Sequence, residues 1–584
     1  MRTSKESLLY TLLLLAVPAS SGGQASPQSA AVFIGPGCTT ATMIDSDCDG
    51  YGPGSPLGPD ADDTDPTVHT ADQMLAKWGT LANFLSAVKG YQPKHIWYIS
   101  PSGNDSNCSV NDDTKPCQSF AVAYSKSSAG DAIVARAGTY LANHNYSIGR
   151  SGTSAAHPDI IMAYPGEAAI FDHGTAGWYG FSADLAPVNY TIFDGLIIKN
   201  TPQSSPTHEV AGMGIDLNAA GKIYGDVIRN CEIRDYYRGI WIIAGSQNLL
   251  IENNVIHDNY GGSSGEHNIY LGQNSGSGGH AVNVVVRNNI LYNANWDNFH
   301  FNGVCDNCSL SGNIMHSANM AQNGGSANIA LQQGWDQGLI ENNIIFNSSA
   351  YGVLINDYDD SQPIIKPYNQ NYNTIRNNTF VHTGRDASGQ DLSGNYFTTV
   401  AIINNSGQTS PPLDLGHNTY DNNIFVEAAV GGGAANAIVR YQRNQAGDPN
   451  WIATDTWRNN LLYASNGAAP LSIGIGNIPP DQSWAYFSSQ AAVFAGNSQA
   501  APMFIAMDPS WYNAPRRFNL RVQAGSPAIG AGMAADASAT DITGNPRSGN
   551  PDIGAYQSGG GDPPRLQLPP TVGSPTVPRG SAPL

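Results

Sequence analysis

A short phrase that recurs along the chain constrains its fold more than any other feature. The phrase is an Asn-Asn pair, or a near equivalent, followed directly by a short apolar stretch. Aligned on the second Asn position, successive copies lie 23, 35, 24, 30 and 35 residues apart. A fixed phrase at irregular intervals of this size indicates one structural unit that repeats with loops of varying length inserted. The clear copies occupy residues 229–233, 252–256, 287–291, 311–315 and 341–345, and weaker copies surround Asn378, Asn423 and Asn460.

The strands around this phrase are too short for a doubly wound α/β sheet. They are separated by Gly, Asn, Asp and Ser, without the long helical patterns that such a sheet requires. They suit a parallel β-solenoid in which each copy forms one turn and equivalent residues stack ~4.8 Å apart. A buried Asn column can then satisfy its amides along the stack. Cys231 lies in this column, so we expect it to be a buried thiol.

Further stretches outside the repeated phrase also bear on the fold. The stretch IWYISPSGND at 96–105, with 129–131 and 136–140, is similar to the opening coil of the secreted right-handed parallel β-helix proteins, the pectate-lyase-like superfamily. The resemblance implies an all-β, right-handed parallel β-helix over residues 94–557. It does not fix the chemistry, because this architecture hosts lyases, hydrolases, epimerases and adhesins. The other similar stretches are 148–153 and 160–167 for the second turn, and 524–530, 540–547 and 551–556 for the closing segment.

The N terminus has the pattern of a secretory signal. Residues 7–19 form an apolar run behind Arg2 and Lys5, and the run is too short to span a bilayer. We assign residues 1–30 to a signal peptide and leader, with cleavage between Ala19 and Ala30. No later segment has the length and apolarity of a membrane helix. The sequence therefore predicts an extracellular protein, secreted or held at the cell surface, with no transmembrane segment.

The cysteines agree with an oxidising compartment. Cys38 with Cys48, and Cys108 with Cys117, form close pairs that suit disulfides. Residues 305–308 form a C-x-x-C motif, but no second pair lies nearby, so the motif does not indicate a zinc site.

The charge balance limits the classes of partner. The chain has 27 basic and 46 acidic residues, a net charge of −19, and no basic stripe offsets this excess. Such a surface repels nucleic acid. We expect a polysaccharide partner instead, and a polyanionic one would need a local cationic group or a bound metal.

The acidic residues are concentrated in a segment at 31–69. Carboxylates at alternate positions, with Gly where the chain must turn, supply the oxygen ligands that calcium requires. The segment is not an EF-hand, because the twelfth position counted from Asp45 is Pro56 rather than Glu. It is similar to the Asp-rich calcium repeats of bacterial secreted proteins and to thrombospondin type 3 repeats, which implies structural calcium; the alternative is a solvated acidic linker. The predicted ligands are Asp45, Asp47, Asp49, Asp60, Asp62, Asp63 and Asp65.

An amphipathic helix is predicted at 70–93, between the acidic segment and the first coil. Thr70 can cap it and Gln73 can close a capping box. A β-solenoid exposes an open sheet edge at its end, and this helix is placed to cover that edge. The shorter apolar stretch at 120–124 could cover it instead. Residues 558–584, rich in Gly and Pro, are predicted to form a flexible tail.

Polar residues line up when the second strands of successive turns are aligned. The strands begin at Arg238, His267 and Asp297, which form one column at the strand entrance. Because apolar residues alternate inward, the residues three positions later form a second outward column. The next turn offers only Ala at the two positions. The second column consists of Trp241, Tyr270 and His300, and the insertion before His267 ends in Glu266, which could help wall a groove.

These columns suggest a mechanism for a polysaccharide lyase or C5-epimerase acting on a uronate-containing polymer. Arg238 would neutralise the substrate carboxylate, His267 or His300 would remove the C5 proton, and Tyr270 would protonate the leaving oxygen. Asp297 would keep a neighbouring imidazole available for proton transfer. Trp241 would stack on a sugar ring, with Glu266 as a second substrate contact. The alternative is a non-catalytic extracellular glycan-binding or adhesive β-helix protein.

Overall fold

The computed structural model describes residues 32–559 with several gaps. The predicted signal peptide and leader, and all but two residues of the predicted tail, lie outside this range. No helix in the described ranges is long and apolar enough to cross a membrane. The gaps are 142–144, 175–178, 184–185, 202–211, 218–222, 244, 260–264, 273–280, 319–325, 333, 349, 358–369, 385–397, 405–413, 430–436, 445, 477–478 and 512–513.

Three long sheets run through the described part of the chain, and successive turns of the chain add strands to them in order. The first sheet contains Ile96–Ile99, Ala132–Ala135, Asp159–Ala163, Thr191–Asp194, Val227–Arg229, Leu250–Glu252, Val285–Arg287, Ser309–Ser311, Leu339–Glu341, Thr374–Arg376, Thr419–Asp421, Thr456–Arg458 and Val493–Ala495. The second contains Gly138–Leu141, Ala169–Asp172, Ile197–Lys199, Glu232–Arg234, Val255–His257, Ile290–Tyr292, Ile314–His316, Ile344–Ser348, Thr379–His382, Ile424–Glu427 and Leu461–Ala464.

The third sheet carries the polar columns. Its strands are parallel except for the last short one, and the prediction of an all-β, right-handed parallel β-helix is confirmed. The strands are Tyr146–Ser147, Tyr179–Ser182, Met213–Asp216, Arg238–Ile243, His267–Gly272, Asp297–Asn302, Ala327–Gln332, Tyr351–Asp357, Thr398–Asn404, Val439–Arg443, Leu471–Ile475 and Asp481–Gln482. Smaller sheets contain Ala281–Val282, Cys305–Asp306 and Trp335–Asp336, and the antiparallel pair Phe504–Ala506 and Asn519–Val522.

The Asn phrase forms the turn between the first and second sheets. Its first residue adopts a positive φ, as at Asn253 and Asn288 (both 55°), a conformation that Asn tolerates better than most residues. Its second residue is buried, and each side-chain amide donates to the next along the column. Nδ2 to Oδ1 distances are 3.0 to 3.1 Å through Asn254, Asn289, Asn313, Asn343, Asn378, Asn423, Asn460 and Asn497.

Cys231 precedes this ladder as predicted. It is a buried free cysteine, and burial raises the pKa of its thiol to about 12. The predicted Cys38–Cys48 and Cys108–Cys117 disulfides are present, and Cys305 pairs with Cys308.

Replacing Asn343 by Ala is expected to lower the free energy of unfolding by about 2–4 kcal/mol, because buried polar groups would lose their partners. Asn343 Oδ1 accepts from Asn313, and its Nδ2 donates to the Leu310 carbonyl at 2.9 Å and to Asn378. Urea denaturation would measure the change. Cys231→Asn, which places an amide at the same column position, is the control and is expected to unfold at or above the wild-type midpoint. Equal midpoints for Asn343→Ala and wild type would contradict a stabilising ladder.

The predicted helix at 70–93 forms three short helical segments. They are Ala71–Trp78, Leu81–Phe84 and the π-helical turn Leu85–Lys89. Thr70 and Gln73 form the expected capping box, and Gly79, with φ of 76°, ends the first segment.

These segments pack on the outward face of the first sheet rather than over the end of the solenoid. Met74 and Phe84 lie in one cluster with Tyr98 and Met162, whose side chains point away from the interior. The interior end is contacted instead by the alternative segment, which forms the helix Phe120–Lys126. Phe120 contacts the rings of Tyr146, Phe171 and Phe181 at centroid distances of 5.3 to 6.4 Å. The outward face of the first strands is apolar, so it accepts the longer amphipathic segment.

Other segments cover the opposite end and the second sheet. The helix Trp484–Gln490 places Phe487 against Trp457 of the interior. The outward face of the second sheet packs against the start of the acidic segment, through Ile34 and Ile44, and against residues of the 504–556 region. Short 3₁₀ turns lie at Trp451–Ala453, Pro509–Trp511, Pro515–Arg517 and Ala534–Asp536.

Candidate functional site

The structure brings the two predicted columns together on the outward face of the third sheet. Arg238 pairs in register with His267, and His267 with Asp297. In the second column, Trp241 pairs with Tyr270, and Tyr270 with His300. The six side chains therefore occupy three consecutive coils, and Ala330 follows His300 as predicted.

A second amide ladder fixes where these strands begin. Asn268 follows His267 in the chain, but its side chain is buried at the corner of the coil, where Nδ2 donates to Asn298 Oδ1 at 2.7 Å. Asn298 donates in turn to Asn328. Because the ladder holds the second residue of each strand at the corner, the first residue, His267 or Asp297, stays on the outward face.

Asp297 is hydrogen-bonded to one imidazole of the site and lies close to the other. Its Oδ2 lies 2.7 Å from His300 Nδ1 and 3.3 Å from His267 Nδ1. Its other oxygen accepts a hydrogen bond from the backbone N–H of Ala327 at 2.5 Å. The carboxyl group is fully buried, which raises its pKa, but the contacts with the two imidazoles outweigh burial, and the net pKa is lowered. Asp297 is therefore a carboxylate and can only accept, so His300 donates to it from Nδ1 and leaves Nε2 as an acceptor.

The two histidines differ in their surroundings. His267 is 2% exposed, and burial and the neighbouring His300 lower its pKa to about 3, so this imidazole is neutral at ordinary pH. His300 is 6% exposed and stacks on Tyr270 at a centroid distance of 4.8 Å and an interplanar angle of 14°. The sequence predicts solvent-facing side chains here, but these two imidazoles and Asp297 form a buried floor.

Arg238 is surrounded by aromatic rings. Its guanidinium lies 4.4 Å from the centroid of the Tyr270 ring and 4.9 Å from that of Trp241. Its Nε donates to the carbonyl of Gly265 at 2.9 Å, and it forms no ion pair within the described residues. Burial lowers its pKa, but from so high a starting value that it remains a cation. A half-buried cation of this kind can receive a substrate carboxylate.

Tyr270 and Trp241 form the rim of the floor. Both are partly exposed. Burial raises the pKa of the Tyr270 hydroxyl, so it keeps its proton, and it lies 3.3 Å from Asn302 Nδ2, which donates to it. The indole Nε1 of Trp241 is buried and has no hydrogen-bond partner in the described structure. Tyr270 can donate a proton, and Trp241 can donate a hydrogen bond or stack on a sugar ring.

Two residues of the site were not found in the sequence. Asp216 precedes Trp241 in the same column, and Asn302 contacts Tyr270. The signal for Asp216 is the shared x-Gly-Ile-x pattern of residues 213–216 and 238–241, which aligns Asp216 with Trp241. Glu266, predicted to contact substrate, is fully buried and acts electrostatically on Arg238. We therefore expect Glu266 to influence the guanidinium rather than a sugar.

Five of the seven predicted calcium ligands converge. The ligand atoms of Asp45, Asp47 and Asp63 lie within 4.8 Å of one another, and so do those of Asp47, Asp49 and Asp60. Asp47 belongs to both groups, and both of its carboxylate oxygens are buried without a hydrogen-bond partner. One oxygen of Asp49 and one of Asp60 are also buried without a hydrogen-bond partner. The Asp49 oxygen lies 3.1 Å from His69 Nδ1.

The other two predicted ligands are engaged elsewhere. Asp65 forms an ion pair with Lys77, and Asp62 accepts a hydrogen bond from the Thr64 hydroxyl at 2.6 Å. Within the two groups, burial followed by repulsion between the carboxylates raises the pKa of Asp47 to about 7. Similar causes raise the pKa of Asp60 to about 9. The buried, unpartnered oxygens of Asp47, Asp49 and Asp60 are donors that calcium prefers, so these three residues fit the ion. Asp45 and Asp63 complete the two groups, although their oxygens also accept hydrogen bonds from Cys48, Gly50 and Ser46.

Comparisons with known proteins found one similar sequence segment and several similar structures. No family model matches the chain. Pectate lyase PEL9 of Emericella nidulans is 40% identical over 75 residues, which are 13% of this chain and 18% of that protein. Pectate lyase Pel9A aligns over 80% of this chain and 97% of its own, with 17% identity and a TM-score of 0.40. A complex of XylC with xylose aligns over 79% and 98%, with 11% identity and a TM-score of 0.44. The chain is a parallel β-helix protein, as the stacking of its three long sheets shows.

Proposed function

We propose that the protein is a secreted polysaccharide lyase that acts on a uronate-containing polymer at the outward face of the third sheet. The observation that carries this proposal is the pairing of Asp297 with His300 beside Arg238. It supplies a carboxylate-held imidazole, a cation that forms no ion pair with the residues the structure describes, and a protonated phenol on three consecutive coils. The short match to a pectate lyase agrees with this reaction class.

Arg238 binds the substrate carboxylate and stabilises the negative charge that develops on it when the C5 proton leaves. His300 Nε2 removes that proton, because Nδ1 is occupied by Asp297 and the free lone pair lies on Nε2. Tyr270 donates its proton to the leaving oxygen, and Asn302 orients the hydroxyl. His267 is the less suitable base, because burial already disfavours its protonated form.

Hydrolysis fits the described residues less well. Asp216 stands three coil steps from His300 in its column, which places it ~14 Å away at ~4.8 Å per step. Pairs of carboxyl groups in glycosidases lie ~5–9.5 Å apart. Asp297 lies on the same strand as His300, so Asp216 and Asp297 are too far apart to form such a pair.

The rival candidate is a non-catalytic glycan-binding protein, which the aromatic rim would also suit. The lyase and the glycan-binding protein are distinguished by incubating the purified protein with uronate-containing polysaccharides and following the ultraviolet absorbance of unsaturated product. A lyase yields this absorbance. Glycan binding without product from any polymer would favour the binder.

Trp241→Ala is expected to raise KM by ~10-fold with a smaller effect on kcat, since the indole contacts bound sugar but takes no part in proton transfer. Trp484→Ala, in the helix at the far end of the solenoid, is the control and is expected to leave KM unchanged. Steady-state kinetics on the preferred polymer would measure both. An unchanged KM in Trp241→Ala would place the sugar elsewhere.

For the acidic segment we propose structural calcium, held by Asp45, Asp47, Asp49, Asp60 and Asp63. The segment packs through Ile34 and Ile44 on the second sheet and through Ala61 and Val68 on the helical cover of the first. A cation bound here would neutralise the repulsion between the carboxylates of this segment, which contacts both the second sheet and the helices that cover the first sheet. We therefore expect calcium to stabilise the fold and not to enter the reaction.

A further inference from the structure

The acid and the base of the proposed reaction lie on one face of the sheet. Tyr270 and His300 are register partners on adjacent coils, and their rings are stacked at 4.8 Å. Both side chains point away from the interior, which Ile269 and Phe299 occupy. A sugar ring lying on this sheet presents a single face to both groups.

We infer that the site performs a syn elimination on uronates whose C5 hydrogen and O4 lie on the same face of the ring. This inference rests on the proposed function and names the substrate class of the same site. Uronates with the gluco or manno configuration, such as 1,4-linked β-D-glucuronate and β-D-mannuronate, have this arrangement. Galacturonate, the C4 epimer of glucuronate, and guluronate, the C5 epimer of mannuronate, carry the two groups on opposite faces.

The bonds balance without a further reactant. His300 Nε2 takes the C5 proton, and the electron pair of the C5–H bond passes into the carboxylate held by Arg238. The pair then forms the C4–C5 double bond as the C4–O4 bond breaks, and O4 takes the proton of Tyr270. The products are an unsaturated uronate at one new end and a reducing sugar at the other. A proton returns from the imidazolium to the tyrosinate through solvent.

The same geometry separates elimination from epimerisation. Inversion at C5 requires a proton to leave one face of the ring and another to arrive at the opposite face. The described groups act from one face only, so a proton returned to C5 restores the original configuration. The site therefore exchanges the C5 hydrogen with solvent but does not epimerise the sugar.

Two matched pairs of polymers test this inference. The wild-type protein is incubated with polymannuronate and polyguluronate, which differ at C5, and with polyglucuronate and polygalacturonate, which differ at C4 and in the anomeric linkage. We expect unsaturated product from the mannuronate or glucuronate polymer at a rate at least ~10²-fold above its epimeric partner, because the partner places O4 beyond reach of the acid. Preference for polygalacturonate or polyguluronate would overturn the inference of a syn elimination, but it would agree with the proposed lyase activity. No unsaturated product from any of the four would overturn both.

Tyr270→Phe and His300→Asn distinguish the acid from the base in deuterated water. Tyr270→Phe is expected to cleave at least ~10²-fold more slowly while still exchanging the C5 hydrogen for deuterium, since the base remains. His300→Asn is expected to lose both exchange and cleavage. Nuclear magnetic resonance of the recovered polymer would measure deuterium at C5 and its configuration. Inverted C5, or exchange that persists in His300→Asn, would contradict the single-face arrangement.

Discussion

His300→Asn is expected to lower kcat by ~10²–10⁴-fold with little loss of stability, because general base catalysis contributes about that much. The Asn side chain can place an amide N–H near the position of Nδ1, so the hydrogen bond to Asp297 is retained while the Nε2 acceptor is removed. Steady-state kinetics and thermal denaturation would measure the two effects. His157→Asn, in an exposed loop, is the control and should behave as wild type.

His267→Asn completes the comparison between the two imidazoles. His267 is neutral and deeply buried, so its replacement is expected to lower the melting temperature more than kcat. If His267→Asn instead abolished turnover while His300→Asn kept it, the roles assigned here would be exchanged. Full turnover in a variant that carries both His267→Asn and His300→Asn would reject this site altogether.

Asp47→Asn is expected to abolish most of the stabilisation that calcium gives the wild-type protein. Asp47 belongs to both groups of converging carboxylates, so its loss weakens each of them. A ligand that binds only the folded state stabilises it by ~2.7 kcal/mol at 100 times its Kd. Asp65→Asn is the control, because Asp65 pairs with Lys77 and is expected to leave the calcium response intact. Melting temperatures with calcium and with a chelator would measure the response, and an equal response in Asp47→Asn and wild type would place the ion elsewhere.

The pH dependence of this stabilisation has a definite sign. The folded pKa is about 7 for Asp47 and about 9 for Asp60, above the unfolded value of ~3.9. Without a cation, the folded state therefore binds more protons than the unfolded state, and stability falls as pH rises between these values. Calcium binds the ionised form, so the difference in melting temperature between calcium and chelator is expected to grow from about pH 5 to about pH 8. A difference that shrinks over this range would contradict a carboxylate-bound ion.

The fold and the columns were predictable because they depend on local, repeated signals. A turn that requires a positive φ at one residue and a buried amide at the next leaves Asn-Asn, or a near equivalent, in successive coils, as at Asn288 and Asn289. Alignment on that turn gives the register of the strands that follow, and hence the pairing of His267 with Asp297.

What the sequence could not show depends on packing between distant segments. The burial of His267 and His300 and the resulting pKa of His267 are not encoded in strand periodicity, which gives only the face of the sheet. The position of the helices at 71–89 was missed for the same reason, since an amphipathic pattern does not say which apolar surface it will meet. Asp62 and Asp65 satisfied the spacing of ligands, yet local partners engage them in the folded segment.

The mass of the product released from a uronate polymer tests the central claim most directly. Elimination yields an oligosaccharide lighter than the hydrolysis product by one water molecule, because its new terminal sugar has a C4–C5 double bond in place of the C5 hydrogen and the C4 hydroxyl. Mass spectrometry of the wild-type digest, with His300→Asn as the inactive control, is expected to show the lighter species from wild type alone. Hydrated products, or a polymer that is bound but left intact, would contradict the assignment of this surface as a lyase site.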